Sequence, residues 1–296
     1  LRSPELKSMP TAYFACAAVL LAADVLLRPW DSWKRRGGYH LVYLLLPYAP
    51  LFIGPFIPVR WLTVVFGVVA LGALLNFANM VGLVSYPRFF IPAALVSVAF
   101  FGAAQVHWYG LFQAMPVFGL AFILAATTPG ARPEGFLQKL CLSWLGSLVY
   151  GYLWAHASLF LDTDFQGLGD GRSWDLLALL CAKAGDTAWV AARERLRLRS
   201  WLVQVLTTVP GAVVGGAVAA ALFPPSGATR WEMLLFGAVV GLGLGVGSFG
   251  HELIVADVLE QKQRVPLKST MLFAFSFSLA LGYHLIRYFS FQSARA

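Results

Sequence analysis

Lys183 and Asp186 place an ammonium and a carboxylate inside an otherwise apolar run, and that run ends in four alternating arginines, Arg193, Arg195, Arg197 and Arg199. Residues three apart share a helix face, so Lys183 and Asp186 can pair. A charged group at membrane depth is costly and rare, which makes it a candidate functional group. Two chemistries are open to it. One is a self-contained ion pair facing the interior of a bundle. The other is a carboxylate that holds a metal, with Lys183, Arg193 and Arg195 as ligands for phosphate oxygens or a lipid headgroup. An arginine fork suits phosphate geometry. The plainer reading of the arginines is an exposed turn that orients the chain against anionic headgroups.

A second polar set follows an apolar run: His251, Glu252, Asp257 and Glu260, then Arg264 and Lys268. Magnesium takes oxygen ligands and often uses one or two carboxylates plus substrate phosphates. Asp186 with Asp257 and Glu260 is therefore a candidate metal set, and Arg264 and Lys268 are candidate phosphate or lipid ligands. A solvated polar loop explains the same residues equally well. His40, His107, His156 and His284 are scattered over different segments and read as interface or interior hydrogen-bonding residues.

The elements that must position these groups are set by composition. Of 296 residues, 59% are hydrophobic and only 12% charged. The mean hydropathy is +0.71. Soluble domains carry about 25% charged residues. The chain reads as all-α: a polytopic integral membrane helical bundle of about ten transmembrane helices of roughly 20 residues each. Residues 1–296 form one membrane domain, with N-terminal hydrophobic helices over 1–128 and the chemistry-bearing region over 129–296. The net charge of +8 comes from basic loops beside an anionic leaflet, not from a nucleic-acid surface. Cys16, Cys141 and Cys181 lie in apolar runs without CxxC spacing and read as small hydrophobes.

The predicted spans are about 9–27, 39–56, 61–81, 90–105, 111–128, 140–161, 174–192, 201–223, 231–250 and 270–288. The first is read as retained, for want of a small-residue cleavage site. The loops after spans one, five, seven and nine are basic, and the loop after span six is acidic, with Asp162, Asp164 and Asp170. In a ten-span model the basic loops share one side. The positive-inside rule makes that side cytoplasmic and both termini extracytoplasmic, the expected setting being a bacterial inner membrane. Glycines at Gly215, Gly216, Gly241, Gly243, Gly245 and Gly247 predict close helix packing in lipid; a glycine-lined headgroup cavity is the alternative.

Asp186-Thr187-Ala188-Trp189 resembles the Asp-Thr-Gly-Ala-Tyr segment of phosphatidate cytidylyltransferases (CDP-diacylglycerol synthases). The order of neighbours is similar too. Arg132-Pro-Glu-Gly-Phe precedes a span with Tyr150, Gly215-Gly216 follows a short basic link, Gly250-His251 closes a glycine-rich span, and Leu272-Phe-Ala-Phe lies in the last span. The resemblance implies a polytopic helical fold with a cytoplasmic site. It implies CTP and phosphatidate as substrates, magnesium as cofactor, and CDP-diacylglycerol and pyrophosphate as products. Here, however, Val205–Ala212 carries neither the lysines nor the acid of the family's Ser-Pro-Lys-Lys-Thr segment, and Gly-His-Gly-Gly is absent. Histidine 251 stands where the family has an acid. A lone carboxylate cannot organise a two-metal transfer. The expectation is therefore an eroded site and a lipid-binding or scaffolding subunit, partnered by membrane phospholipids and a protein of the same complex. An active CTP-dependent transferase and a transporter-like bundle are the alternatives.

Overall fold

The computed structural model describes residues 11–27, 52, 56–106, 108–129, 133–165, 168–195, 201–222, 228–258 and 267–293. The elements are α1 (Thr11–Leu27), α2 (Val59–Met80), α3 (Pro87–Gln105), α4 (Tyr109–Thr127), α5 (Phe136–Ser147), a π-helical segment (Leu148–Leu153), α6 (Trp154–Asp162), β1 (Asp164–Phe165), β2 (Gly169–Asp170), α7 (Gly171–Arg195), α8 (Trp201–Leu222), α9 (Arg230–Val258) and α10 (Leu267–Ser293). The π-helical segment joins α5 and α6 into one continuous rod.

Among the described residues, five helices are long and apolar enough to cross a membrane: α2, α3, α4, α8 over Leu202–Ala221 and α9 over Arg230–Ile254. The protein is all-α and membrane-embedded. The described part of the expected second span is small, and most of residues 39–56 lie outside the described residues. Residues 90–128 form two separate helices, α3 and α4, of 19 residues each.

Three local expectations are corrected. The turn expected to begin at Arg193 is helical through Arg195, because Arg and Glu are strong helix formers and cations suit a helix C-terminus. The ninth span does not stop at Gly250; α9 runs on to Val258, since Leu253 and Ile254 carry an apolar helical run past the glycine. The acidic loop is a small antiparallel hairpin, with Asp164 opposite Asp170 and Phe165 opposite Gly169. The positive φ of Gly169, 85°, admits that turn.

The chain falls into two compact units. The first takes the described residues of Leu1–Pro58, Thr163–Val246 and His284–Ala296; the second takes those of Val59–Asp162 and Gly247–Tyr283. In the first unit, α1 and α8 pack on α7. Phe14 of α1 stacks near Phe52 and Phe56, at ring separations of 6.4 and 5.6 Å. Every residue from Trp174 to Ala184 is buried. That enclosure places the charges of α7 inside the first unit and not on its surface. Helix α9 opens on a capping box, in which Thr229 Oγ1 and backbone N both donate to Glu232 Oε2, at 2.8 and 2.6 Å.

The second unit is built round the π-helical segment. Tyr150 packs against Phe77 and Phe273, and Tyr152 stacks on Phe112 with centroids 4.8 Å apart. His156 is wholly buried among Phe112, Tyr152 and Tyr283. Its Nδ1 lies 3.0 Å from the Tyr152 carbonyl. A carbonyl only accepts, so Nδ1 is the donor. His156 is thus an interior hydrogen-bonding residue.

Candidate functional site

The site is assembled on α7, α8 and the first part of α9, all within the first unit. Contacts set the register. Cys181 of α7 lies against Gly215 and Gly216 of α8, while Ala184, Gly185 and Ala188 lie against Gly211. Rising numbers on one helix meet falling numbers on the other, so α7 and α8 are antiparallel. The Thr208 carbonyl of α8 sits between two glycines: a Cβ on Gly185 or on Gly241 of α9 would each lie 2.8 Å from it. Glycine at both positions lets three helices close on one backbone. The glycine sets are packing surfaces, as expected of small residues between helices in lipid.

Lys183 and Asp186 lie on this close-packed helix. Nζ of Lys183 donates to Oδ2 of Asp186 at 2.6 Å, with the two side chains 3% and 14% exposed. Thr187 adds a local bond from Oγ1 to the Lys183 carbonyl at 2.9 Å. The carboxylate whose neighbourhood suggested metal chemistry already has an ammonium on one oxygen.

The other predicted residues are placed as follows. Arg193 lies in the last turn of α7 and is half-buried; Arg195 is the final residue of that helix. Asp257 lies near the end of α9 and Lys268 near the start of α10. The side chains of Arg195, Asp257 and Lys268, and the whole of Glu260 and Arg264, lie outside the described residues. Among the described residues, no three His, Cys, Asp or Glu side chains come together as a metal-binding group. The one described carboxylate of the candidate metal set is engaged by Lys183, which does not suit a divalent cation on that oxygen. His251 is wholly buried, its ring 5.1 Å from that of Phe273, whereas Glu252 next to it is half-exposed. The two point to different surroundings and do not form one ligand cluster.

One feature had no counterpart in the sequence reading. An open groove of about 520 Å³ runs along α7 and α8, lined by Ala188, Ala191, Ala192, Leu206, Pro210 and Val214 among others. Its lining is almost wholly apolar, and Leu206 and Val214 are each 60% exposed. The alanines at 188, 191 and 192 signal it in retrospect: small side chains on one face of α7 leave a furrow beside α8.

Fold and site together define an all-α, membrane-embedded protein whose helix α7 carries a buried ion pair and, with α8, lines an apolar groove. No family model, curated protein or solved structure matches the chain.

Proposed function

We propose that the chain is a phosphatidate cytidylyltransferase-like membrane protein with an eroded catalytic site, acting as a lipid-binding or scaffolding subunit of a membrane complex. The observation that carries this reading is the 2.6 Å contact between Lys183 Nζ and Asp186 Oδ2. A carboxylate neutralised by its own helix is poorly placed to gather two metal ions, and the lysines that would balance a triphosphate are missing from Val205–Ala212. The groove supports the lipid half of the proposal. Its occupant is a phospholipid acyl chain, since the lining is apolar and the basic end of α7 begins at Arg193, beside Ala192, where an anionic headgroup finds its counter-charge. The ten-span arrangement with cytoplasmic basic loops belongs to the same proposal.

The test is reconstitution with labelled CTP, phosphatidate and magnesium. No CDP-diacylglycerol is expected. Steady turnover that disappears in Asp186→Asn would overturn the reading and restore the active transferase. Purification from native membranes is expected to retain bound phospholipid, and replacing Ala191 by leucine to fill the groove is expected to lower the lipid retained.

A further inference from the structure

A second acid in α7 is buried more deeply than Asp186. Asp175 is 0% exposed, and neither carboxylate oxygen has a hydrogen-bond partner. The groups that act on it electrostatically are Tyr13 of α1 and Arg172 of its own helix. Asp170 of the hairpin acts on Arg172 in turn. Arg172 does not close a hydrogen-bonded ion pair with Asp175. Its guanidinium donates to the Ile57 carbonyl at 2.7 Å, and its backbone N–H to Asp170 Oδ1 at 3.2 Å. Tyr13 is itself buried, 1% exposed, so the carboxyl of Asp175 lies in the seam where α1 packs on α7.

An ionised carboxylate needs several donors, and a buried charge that lacks them is neutralised more cheaply than it is kept. We infer that Asp175 is a proton-binding site: its carboxyl is held as the neutral acid in the folded protein, so that the seam where α1 packs on α7 carries no negative charge. Loss of the proton sets a negative charge against Tyr13 and loosens α1 from α7. This inference is independent of lipid binding and of the Lys183–Asp186 pair.

Infrared difference spectroscopy of the full chain in lipid nanodiscs at neutral pH tests it, with Asp175→Asn as the reference. The expected result is loss of one protonated-carboxyl C=O band in the variant, with the carboxylate bands unchanged. Loss of carboxylate intensity instead would mean an ionised Asp175 solvated by buried water, and would overturn the inference. A metal cation in place of the proton is the other overturning result. It would show as a thermal midpoint that rises with sodium or potassium at fixed ionic strength in the native chain but not in the variant. Should Asp175→Asn not fold, the acid band is assigned in the native chain by its downshift in heavy water and by isotope labelling of aspartate carboxyls. Absence of any such band overturns the inference equally.

Discussion

Lys183 and Asp186 hold each other in place, and the consequence of separating them follows from their burial. Lys183 is 3% exposed on its side chain. Removing Asp186 takes the counter-charge away from an ammonium that water barely reaches. Asp186→Ala is expected to lower stability by about 3 kcal/mol, the size found when one member of a buried pair is deleted. Replacing both, as Lys183→Met with Asp186→Leu, is expected to be nearly neutral, because the desolvation cost leaves with the charges. Thermal unfolding in detergent distinguishes the cases; equal losses in the single and double variants would show that the pair contributes through packing alone. The spacing of three made the shared face readable from sequence, but which of two chemistries it served depended on geometry. Asp175 was passed over for a related reason. A single acid at the start of an apolar run resembles an interface residue, and it is α1, over 150 residues away in sequence, that covers it.

At the scale of helices, the glycines of α9 divide by what lies opposite them. A Cβ on Gly241 would meet the Thr208 carbonyl at 2.8 Å, Val209 Cα at 2.8 Å and Ala212 Cβ at 2.9 Å, whereas a Cβ on Gly250 would meet nothing within 4 Å. Backbone atoms cannot swing aside, so Gly241→Ala must push α8 away and is expected to cost about 1–3 kcal/mol. Gly250→Ala is expected to be neutral or to stabilise by roughly 0.5–1 kcal/mol, as alanine outranks glycine in a helix interior. Thermal midpoints of the two variants should move in opposite directions or differ by several degrees; equal shifts would sink the account. The same helices show how much was legible. Apolar runs mark α2, α3, α4, α8 and α9 because lipid and interior alike select apolar side chains. Helix ends were less so: Arg195 extends α7 beyond its apolar run, where helix propensity continues after hydropathy has stopped, and α9 reaches Val258 because Leu253 and Ile254 carry its apolar run past Gly250. The π-helical segment at Leu148–Leu153 left no mark in composition, since it depends on how Tyr150 and Tyr152 pack against Phe77 and Phe112.

For the whole molecule the open question is how it lies across the bilayer, and α7 supplies a ruler. It has 25 residues, so at 1.5 Å per residue it is roughly 37 Å long, enough to cross a hydrocarbon core of about 30 Å. The acidic hairpin stands at its first residue and the arginines at its last. If α7 crosses the membrane the two lie on opposite sides, and the bias of Arg and Lys towards the cytoplasm predicts the cytoplasmic side for the arginine end. The measurement is cysteine accessibility in intact cells. Cys141 is exposed and Cys16 and Cys181 are the other thiols, so all three are first replaced by alanine. A cysteine at Asp164, exposed in the hairpin, is expected to react with a membrane-impermeant maleimide from outside. A cysteine at Arg197 is expected to react only after permeabilisation. Labelling of both from the same side would mean that α7 does not span, and the ten-span arrangement would fall with it. The reverse pattern would keep the span but invert the protein, moving the Arg193 end of the groove away from the anionic cytoplasmic leaflet and removing the electrostatic argument for a headgroup there.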